Sequence, residues 1–218
     1  DDIAEALALI GVEPVWDGIS RRVVDFRVMP LSILGRPRVD VMLRISGFFR
    51  DGFANLISLF QSAVEAVSQL DEPDDMNPLK ANMQRDSEIF AQQGVTQEEA
   101  IAQAQYRIFG SKPGAYGAGL QGLIESQNWE TDRDLAEAYI NWSSYAYTGY
   151  GDAATAPEAL RQRLSNLQIV LHNQDNREHD LLDSDDYYQF QGGMTASVRS
   201  LIGQNPQTYF GDHALPQN

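Results

Sequence analysis

Four helix-start signatures between residues 77 and 158 constrain the fold of this chain most, because each one specifies where a helix begins. A Ser, Thr or Asn side chain before a helix accepts a hydrogen bond from a backbone N–H that has no partner inside the helix. Proline fits at the first helical position because its missing N–H would be unpaired there anyway. The four signatures are Asn77-Pro78, Thr96-Gln-Glu-Glu99, Thr131-Asp-Arg-Asp134 and Thr155-Ala-Pro-Glu158. They predict a mainly helical region over residues 71–218.

The first 70 residues alternate helix and strand patterns. Residues 2–10 place their apolar side chains on one face of a helix, and Gly11 ends it. Three β-prone runs and a long helix with an apolar stripe follow, over residues 12–16, 23–29, 39–45 and 51–70. Because strands alternate with helices, residues 1–70 are predicted to form an α/β unit with a small, mainly parallel sheet and flanking helices.

The region after residue 70 contains one further strand pattern. Residues 167–171 (L-Q-I-V-L) predict one buried strand that leads directly into residues 172–194. The predicted fold class is therefore α/β, with the small sheet first and a predominantly helical region after it. The chain also starts at Asp1 with neither a methionine nor a leader pattern, and we expect it to be a fragment of a larger subunit.

Charge and cysteine content exclude several classes of function. With 31 acidic and 16 basic residues, the chain has a formal net charge of -15, which repels a nucleic-acid backbone. The lack of cysteine excludes disulfides and thiolate metal sites, so any metal ligand must be nitrogen or oxygen. No apolar run approaches the roughly 20 residues that span a bilayer. We therefore expect a globular cytoplasmic protein that does not bind nucleic acid and has no membrane span.

The stretch from His172 to Met194 concentrates acid, base and metal-ligand chemistry more than any other part of the sequence. It contains two of the three histidines, six carboxylates and three aromatic residues. His179 and Asp183 share a helical face if the turn between them is helical. Imidazole accepts a proton near neutral pH and binds borderline metals, while carboxylates hold cations. The predicted catalytic residues are His179, Asp183 and Asp185, and the predicted metal ligands are His179, Asp175 and Glu178.

The same stretch also has a purely structural interpretation. D-S-D-D before Y-Y-Q-F is typical of a helix start, with Asp183 or Ser184 as the N-cap and carboxylates near the positive end of the helix dipole. A run of charges is also commonly a solvated face. Spacing alone leaves both interpretations open.

Two other segments are candidate ligand contacts. R-I-S-G-F-F-R-D, residues 44–51, lies where a strand ends and a helix begins, so free N–H groups, Ser46 and two arginines can bind a carboxylate or phosphate. F-G-S-K-P-G-A-Y-G-A-G-L, residues 109–120, is rich in glycine but is not a Walker A motif, and it predicts no nucleotide. Their structural interpretations are a glycine turn with buried phenylalanines and a flexible connector.

Three long motifs occur in order along the chain. They are R-P-R-V-D-V with R-I-S-G-F-F-R-D (residues 36–51), R-I-F-G-S-K-P-G-A-Y-G-A-G (107–119) and N-Q-D-N-R-E-H-D-L-L-D-S-D-D-Y-Y-Q-F (173–190). In this order they resemble the large subunit of cobaltochelatase, the CobN type, over nearly the whole chain. The magnesium chelatase H subunit is similar in R-P-R-x-D and S-G-x-F-R-D but lacks the N-Q-D-N-R-E-H-D run. The resemblance therefore favours the cobalt enzyme.

The resemblance implies a catalytic, tetrapyrrole-binding subunit of an ATP-dependent chelatase, a ligase that forms nitrogen–metal bonds in cobalamin biosynthesis. Such a subunit inserts Co(II), its substrate metal, into hydrogenobyrinic acid a,c-diamide, while separate AAA+ subunits bind Mg and hydrolyse ATP. The family subunit is several times longer, so we expect this fragment to be inactive alone. Of the family's functional positions, the histidine before D-S-D falls on His179.

Metal insertion removes two pyrrole protons and strips water from a dication, so a base and transient ligands must stand beside the macrocycle. His179 and its acidic neighbours supply both, and arginine forks match the carboxylates of the macrocycle. The predicted contacts to the macrocycle are Arg44, Ser46, Arg50, Lys112, Tyr116 and Arg177. Two alternatives stay open: a magnesium chelatase H-type subunit, and a non-catalytic module that binds a tetrapyrrole or docks a partner.

Overall fold

The computed structural model describes residues 2–149, 153–174 and 186–212, and the chain divides into two compact units. The units interleave along the sequence, so the boundary predicted at residue 70 lies inside the first one. Both contain helices and short strands, which confirms the predicted α/β class. The first unit comprises Asp1–Leu43, Phe49–Phe109 and Ala146–Ala154, and the second comprises Arg44–Phe48, Gly110–Tyr145 and Thr155–Asn218.

The first unit begins with α1 (Asp2–Ile10), which buries one apolar face through Leu7 and Ile10. Gly11 ends this helix with φ at 85°, in the left-handed region that glycine adopts without strain. The apolar stripe predicted for the long helix lies on α4 (Ala54–Ser68), where Phe60 and Val64 are fully buried. The further elements of this unit are β1 (Val12–Trp16), β2 (Val23–Val28), α2 (Leu31–Leu34), α4 (Ala54–Ser68), α5 (Pro78–Gln92) and α6 (Gln97–Gln105).

The sheet at the start of the chain is antiparallel, and the prediction of a mainly parallel sheet is wrong there. β1 pairs antiparallel with β2, with Val12 opposite Val28 and a register shift between Val15 and Trp16. Six residues, 17–22, connect the two strands. A parallel pair needs a crossover of about a dozen or more residues, so this short connection permits only a hairpin.

Two predicted elements differ from the structure in their bounds. The strand predicted over residues 39–45 is shortened to β3 (Leu43–Ile45), and the backbone N–H of Val39 donates instead to the carbonyl of Leu9 in α1, at 3.0 Å. The helix predicted over residues 51–70 is preceded by a separate short helix, α3 (Gly47–Gly52). α3 and α4 are separated at Phe53, whose backbone angles of -133° and 38° are not helical.

The helices predicted from their start signatures are all present. Asn77 caps α5 by accepting a hydrogen bond from the Lys80 N–H at 3.1 Å. Thr96 and Glu99 form the predicted capping box of α6. α8 (Asp132–Ser143) starts after Thr131 as predicted, whereas α9 (Pro157–Ser165) has Ala156 at its N-cap. Thr155 does not cap α9, because it is the last residue of a short strand.

Four short strands form a sheet of their own. They lie in the order β3, β4 (Ile108–Gly110), β5 (Tyr145–Ala146) and β6 (Ala154–Thr155). The N–H of Leu43 donates to the carbonyl of Arg107 at 2.7 Å. β3 contains Arg44 and Ile45, the first two residues of R-I-S-G, and β4 ends at Gly110 in the glycine-rich segment, so the sheet sets the starting points of both motifs.

The second unit combines a helical cluster with a pair of parallel strands. Its remaining elements are α7 (Gln121–Glu125), β7 (Ile169–Gln174), a π-helix (Tyr187–Gly192), α10 (Gly193–Ile202) and β8 (Gln207–Asp212). β7 is the strand predicted over residues 167–171, but it is buried on one face only. Val170 is buried, whereas Ile169 and Leu171 are 53% and 47% exposed, because alternate side chains of a strand point to opposite faces. None of the helices in the described ranges is long and apolar enough to cross a membrane.

Candidate functional site

Arg44, in β3, joins three of the sequence motifs within the second unit. Its Nη2 donates to the carbonyl of Gly117, at 2.9 Å, in the glycine-rich loop (residues 110–120). The carbon of its guanidinium lies 4.4 Å from the centre of the Phe190 ring, in the Y-Y-Q-F segment. Nε and Nη2 also donate to the Ser143 hydroxyl, at the end of α8. The R-I-S-G turn, the glycine-rich loop and Y-Y-Q-F therefore meet at one side chain.

The turn that follows Arg44 approaches the glycine-rich loop closely. A Cβ atom at Gly47 would lie 2.6 Å from the Tyr116 ring and 2.7 Å from the carbonyl of Ala115, so the turn requires glycine there. Ser46 is half-buried in the same turn. On the loop, Lys112 is exposed and Tyr116 is 60% exposed. A macrocycle contact by Lys112 or Tyr116 stays a prediction.

A π-helix begins shortly after the predicted catalytic segment and carries a second link to the glycine-rich loop. The buried Gln189 side chain accepts a hydrogen bond from the N–H of Ala118 through Oε1, at 3.3 Å. π-helical turns are rare and occur frequently at functional sites. The helix predicted to start at residue 183 or 184 is described from Asp186 onward, where its first full turns are π-helical.

His172 lies in an aromatic cluster on β7. The centre of its ring is 4.8 Å from that of Tyr187 on the π-helix and 6.2 Å from that of Phe210 on β8. The Tyr187 and Phe210 rings are 5.2 Å apart and meet edge to face. Such ring pairs contribute packing energy beyond the area they bury. His172 therefore helps to join the strand pair to the π-helix.

Arg50, the second arginine of the R-I-S-G-F-F-R-D motif, belongs to the first unit. Its guanidinium makes a two-pronged contact with the Asp51 carboxylate, with Nε–Oδ1 and Nη2–Oδ2 distances of 2.6 and 2.8 Å. The hydrogen bond to Asp51 raises the pKa of Arg50 above its ordinary value, and Tyr147 acts in the same direction. A macrocycle carboxylate would compete with Asp51 for this guanidinium. A substrate contact by Arg50 stays a prediction.

The predicted catalytic and metal-binding residues lie outside the described residues. Described β7 ends at Gln174, and the described chain continues at Asp186, immediately before the π-helix. Within the described ranges, no group of three or more His, Asp or Glu side chains could hold a metal ion. The roles assigned to the intervening residues stay predictions. These residues are His179, Asp175, Glu178, Asp183 and Asp185, together with the predicted macrocycle contact Arg177.

An open depression of about 410 Å³ lies beside the π-helix, between α10 and β8. Thr195 and Arg199 of α10 line it, together with Thr208 of β8. The Oγ1 atom of Thr195 is buried and has no hydrogen-bond partner among the described residues. Arg199 pairs with Asp132 of α8, with 2.6 Å between Nη2 and Oδ1. Isolated threonines carry no motif, so sequence analysis did not predict this depression.

Sequence analysis also missed the two polar side chains that complete the loop contacts, Ser143 and Gln189. Ser143 lies 99 positions after Arg44, and nothing in the W-S-S triplet marks it as an arginine partner. Gln189 lies inside the Y-Y-Q-F segment that contributes to the family resemblance. That segment was therefore the only sequence signal for this contact.

Comparisons with known proteins agree with these motifs. The family model described as CobN/Magnesium Chelatase matches residues 1–218. The aerobic cobaltochelatase subunit CobN of Pseudomonas aeruginosa is 60% identical over 100% of this chain and 18% of its own length. CobN of Sinorhizobium sp is 53% identical over 100% of this chain and 17% of its own length. The solved catalytic subunit of cobaltochelatase from Mycobacterium tuberculosis matches with a TM-score of 0.89 and 47% identity, over 98% of this chain and 18% of that one.

Fold and motifs together define a segment of a metal chelatase-type subunit. This chain belongs to the CobN/magnesium chelatase family, as its three ordered motifs predicted. It spans 18% of the length of the Pseudomonas aeruginosa relative. The structural match also supports the mixed α/β arrangement of small sheets and flanking helices.

Proposed function

We propose that this chain is a segment of the catalytic, tetrapyrrole-binding subunit of an ATP-dependent cobaltochelatase. The complete subunit would insert Co(II) into hydrogenobyrinic acid a,c-diamide, as a nitrogen–metal ligase of cobalamin biosynthesis. AAA+ partner subunits would bind ATP and Mg and supply the hydrolysis. The cobaltochelatase names of relatives that are 60% and 53% identical over the whole chain support this choice.

The observation that carries the proposal is the meeting of three separate motifs around Arg44. The glycine-rich loop, the R-I-S-G turn and the Y-Y-Q-F segment contact one another in the second unit. Exposed Lys112 and Tyr116 lie on the loop, where an ammonium can attract a carboxylate and a ring can pack on a flat macrocycle. We retain Ser46, Arg50 and Arg177 as further proposed contacts to the macrocycle.

The proposed chemistry centres on His179. Insertion requires a base for the pyrrole protons, and an imidazole has a suitable pKa near neutral pH. Asp183 and Asp185 would orient this base, while Asp175 and Glu178 would join His179 as transient ligands of the substrate metal. Imidazole favours Co(II), whereas Mg(II) prefers oxygen ligands.

The test uses the complete subunit that contains this sequence, assayed with its partner subunits, ATP, Co(II) and the macrocycle. His179→Ala should reduce kcat by about 10²- to 10⁴-fold with little change in macrocycle affinity, because it removes the proton acceptor. His172→Phe is the matched control, since it removes the other histidine of the segment and keeps a ring beside Tyr187 and Phe210. Equal, small effects of the two substitutions would return the segment to a structural role.

The same assay separates the two alternatives when Mg(II) and a porphyrin are included. Preferential insertion of Mg(II) into the porphyrin would replace the proposal with a magnesium chelatase H-type function. Macrocycle binding that is unchanged in every variant, without insertion of either metal, would indicate a non-catalytic binding or docking module.

A further inference from the structure

We propose that Arg44 is a positioning residue that fixes the glycine-rich loop against the π-helix, and that it does not itself bind a carboxylate of the substrate. This inference rests on the proposed function only for the identity of the ligand, a macrocycle with peripheral carboxylates. The fixing of the loop concerns this chain alone.

All three nitrogens of the Arg44 guanidinium donate hydrogen bonds to acceptors of the chain. Nε donates to the Ser143 hydroxyl at 3.2 Å, and Nη1 donates to the carbonyl of Ile45 at 2.9 Å. Nη2 donates to both the Gly117 carbonyl and the Ser143 hydroxyl, at 2.9 and 3.0 Å. A substrate carboxylate that took a two-pronged grip on this planar fork would have to displace these acceptors.

The face of the guanidinium is occupied as well as its edge. Phe190 lies 4.4 Å and Tyr139 lies 5.9 Å from the guanidinium carbon, measured to the ring centres. Both distances are within the range of cation–π attraction. Burial raises the pKa of the Tyr139 hydroxyl, so this neutral phenol supplies a ring face and not a counter-charge. Arg44 is therefore held by two rings while its edge contacts the loop.

The glycine-rich loop needs such a fixing point. Gly117 and Gly119 have φ values of 76° and 79°, a conformation that glycine allows but does not enforce. Arg44 holds the carbonyl of Gly117, and Gln189 accepts from the N–H of Ala118. Two consecutive residues of the loop are thus bonded to side chains from outside it.

The consequence for ligand binding reaches the exposed side of the loop. Tyr116 directly precedes the residue that Arg44 holds, and its ring packs beside Gly47 in the turn that follows Arg44. Release of Gly117 would let Tyr116 and Lys112 sample many positions, and ordering them again upon binding would reduce macrocycle affinity. Arg44 would thus affect the substrate through the loop.

Amide hydrogen exchange on the complete subunit tests this role without any activity measurement. Arg44→Met should accelerate exchange in residues 110–120 by about 10- to 100-fold, the range expected when a hydrogen bond to a charged group is lost. Exchange in α9 should not change. Arg161→Met is the matched control, because it also removes an arginine of the second unit. Arg161 on α9 pairs with Glu137 on α8, with 2.6 Å between Nη2 and Oε2. It should leave the loop unchanged.

Two further measurements separate positioning from direct binding. Arg44→Lys keeps the charge but not the planar fork, so its loop should exchange nearly as fast as that of Arg44→Met. The macrocycle KM should rise in both variants in proportion to the exchange rate of the loop. Normal loop exchange together with a raised KM in Arg44→Met would indicate that Arg44 binds the substrate directly. Wild-type exchange and KM in Arg44→Lys would indicate that a positive charge at this position is sufficient. Either result overturns the proposal.

Ser143→Ala keeps the test decisive if Arg44→Met unfolds the second unit. It removes one acceptor of the fork and leaves the arginine and both rings in place. We expect a smaller acceleration, confined to residues 110–120, and no acceleration would contradict the role. A wild-type subunit that inserts no cobalt would refute the proposed function while leaving the exchange results, and hence the positioning role, unaffected.

Discussion

Among the contacts between described residues, the first unit buries arginines against carboxylates, whereas Arg44 in the second unit contacts carbonyls, a hydroxyl and aromatic rings. Arg38 is fully buried, and its guanidinium makes a two-pronged pair with Glu72, with Nε–Oε2 and Nη2–Oε1 distances of 2.7 and 2.8 Å. Arg107 is equally buried and pairs with Asp40, with 2.6 Å between Nε and Oδ1. Among the described residues, the acceptors of Arg44 include the carbonyls of Ile45 and Gly117 and the Ser143 hydroxyl.

This difference separates a structural use of arginine from a positioning use. Arg38 also donates to the carbonyls of Ile10, Gly11 and Met29. Together with its Glu72 pair, this one side chain joins the end of α1, the segment after β2 and the segment before α5. Its pairing lowers the pKa of Glu72, which keeps this carboxyl ionised. Arg44 joins segments of which one, the glycine-rich loop, carries the exposed side chains proposed to contact the macrocycle, Lys112 and Tyr116. Changes at the first kind of arginine should reduce stability, and changes at the second should release a loop.

The largest expected effect is on the first unit, in Arg38→Met. Removal of the buried guanidinium leaves the Glu72 charge and three carbonyls without this donor, and we expect the free energy of unfolding to fall by about 3–5 kcal/mol. Urea denaturation at neutral pH measures the change. Arg27→Met is the control, because the Arg27–Glu13 pair is largely exposed and should contribute about 0–1 kcal/mol. Similar losses in the two variants would remove the distinction between buried and surface arginines.

An intermediate effect is expected in the second unit for Gly119→Ala. Gly119 has φ at 79°, and an added Cβ would lie 2.6 Å from Trp142, so the substitution strains the backbone and displaces the ring. We expect a loss of about 1–3 kcal/mol in unfolding free energy, together with a changed Trp142 fluorescence. Gly122→Ala, on α7, has no heavy atom within 4 Å of its Cβ and should stabilise the helix by about 0.4–1 kcal/mol. A neutral Gly119→Ala would show that the loop can rearrange around the added methyl group, and would contradict a rigidly held loop.

The smallest expected effect concerns the Asp132–Arg199 pair between α8 and α10. The hydrogen bonds that Arg199 donates to the Asp132 carboxylate lower the pKa of Asp132. A carboxyl with a lowered folded-state pKa stabilises the fold above its unfolded-state value of about 3.9, and this contribution disappears as the pH falls through the folded-state pKa. Asp132→Asn should therefore reduce stability by about 0.2–1 kcal/mol at pH 7, and the difference should vanish in strong acid.

Thermal melting of the wild type and Asp132→Asn across this pH range checks the sign. Glu13→Gln, at the exposed pair with Arg27, provides a matched control outside the second unit. A difference between Asp132→Asn and the wild type that grows as the pH falls would contradict the linkage. An unchanged stability at pH 7 would show that α8 and α10 are joined by apolar packing alone.

Sequence analysis predicted helix starts and family motifs well but not strand direction or partners. The N-cap residues of α5 and α6 each accept a hydrogen bond from a residue three positions later, so the local sequence suffices to identify them. The alternation of helix and strand patterns favours a parallel sheet and therefore gave the wrong direction for β1 and β2. The six-residue connection between them is the signal that indicates an antiparallel hairpin. Arg44 was predicted as a ligand contact because a strand end before a helix suggests an anion site. Its intramolecular acceptors were not visible in the sequence.

Sequence patterns alone were enough to predict where the main helices begin, which family the chain belongs to and which segments are rich in functional side chains. These properties depend on neighbouring residues or on ordered motifs. The contacts of Arg44 with Gly117, 73 positions away, and with Ser143, 99 positions away, arise only from the packing of distant segments. The π-helix contacts of Gln189 and Phe190 are of the same kind. A guanidinium can donate hydrogen bonds to many kinds of acceptor, and which acceptors come within about 3 Å depends on how distant segments pack.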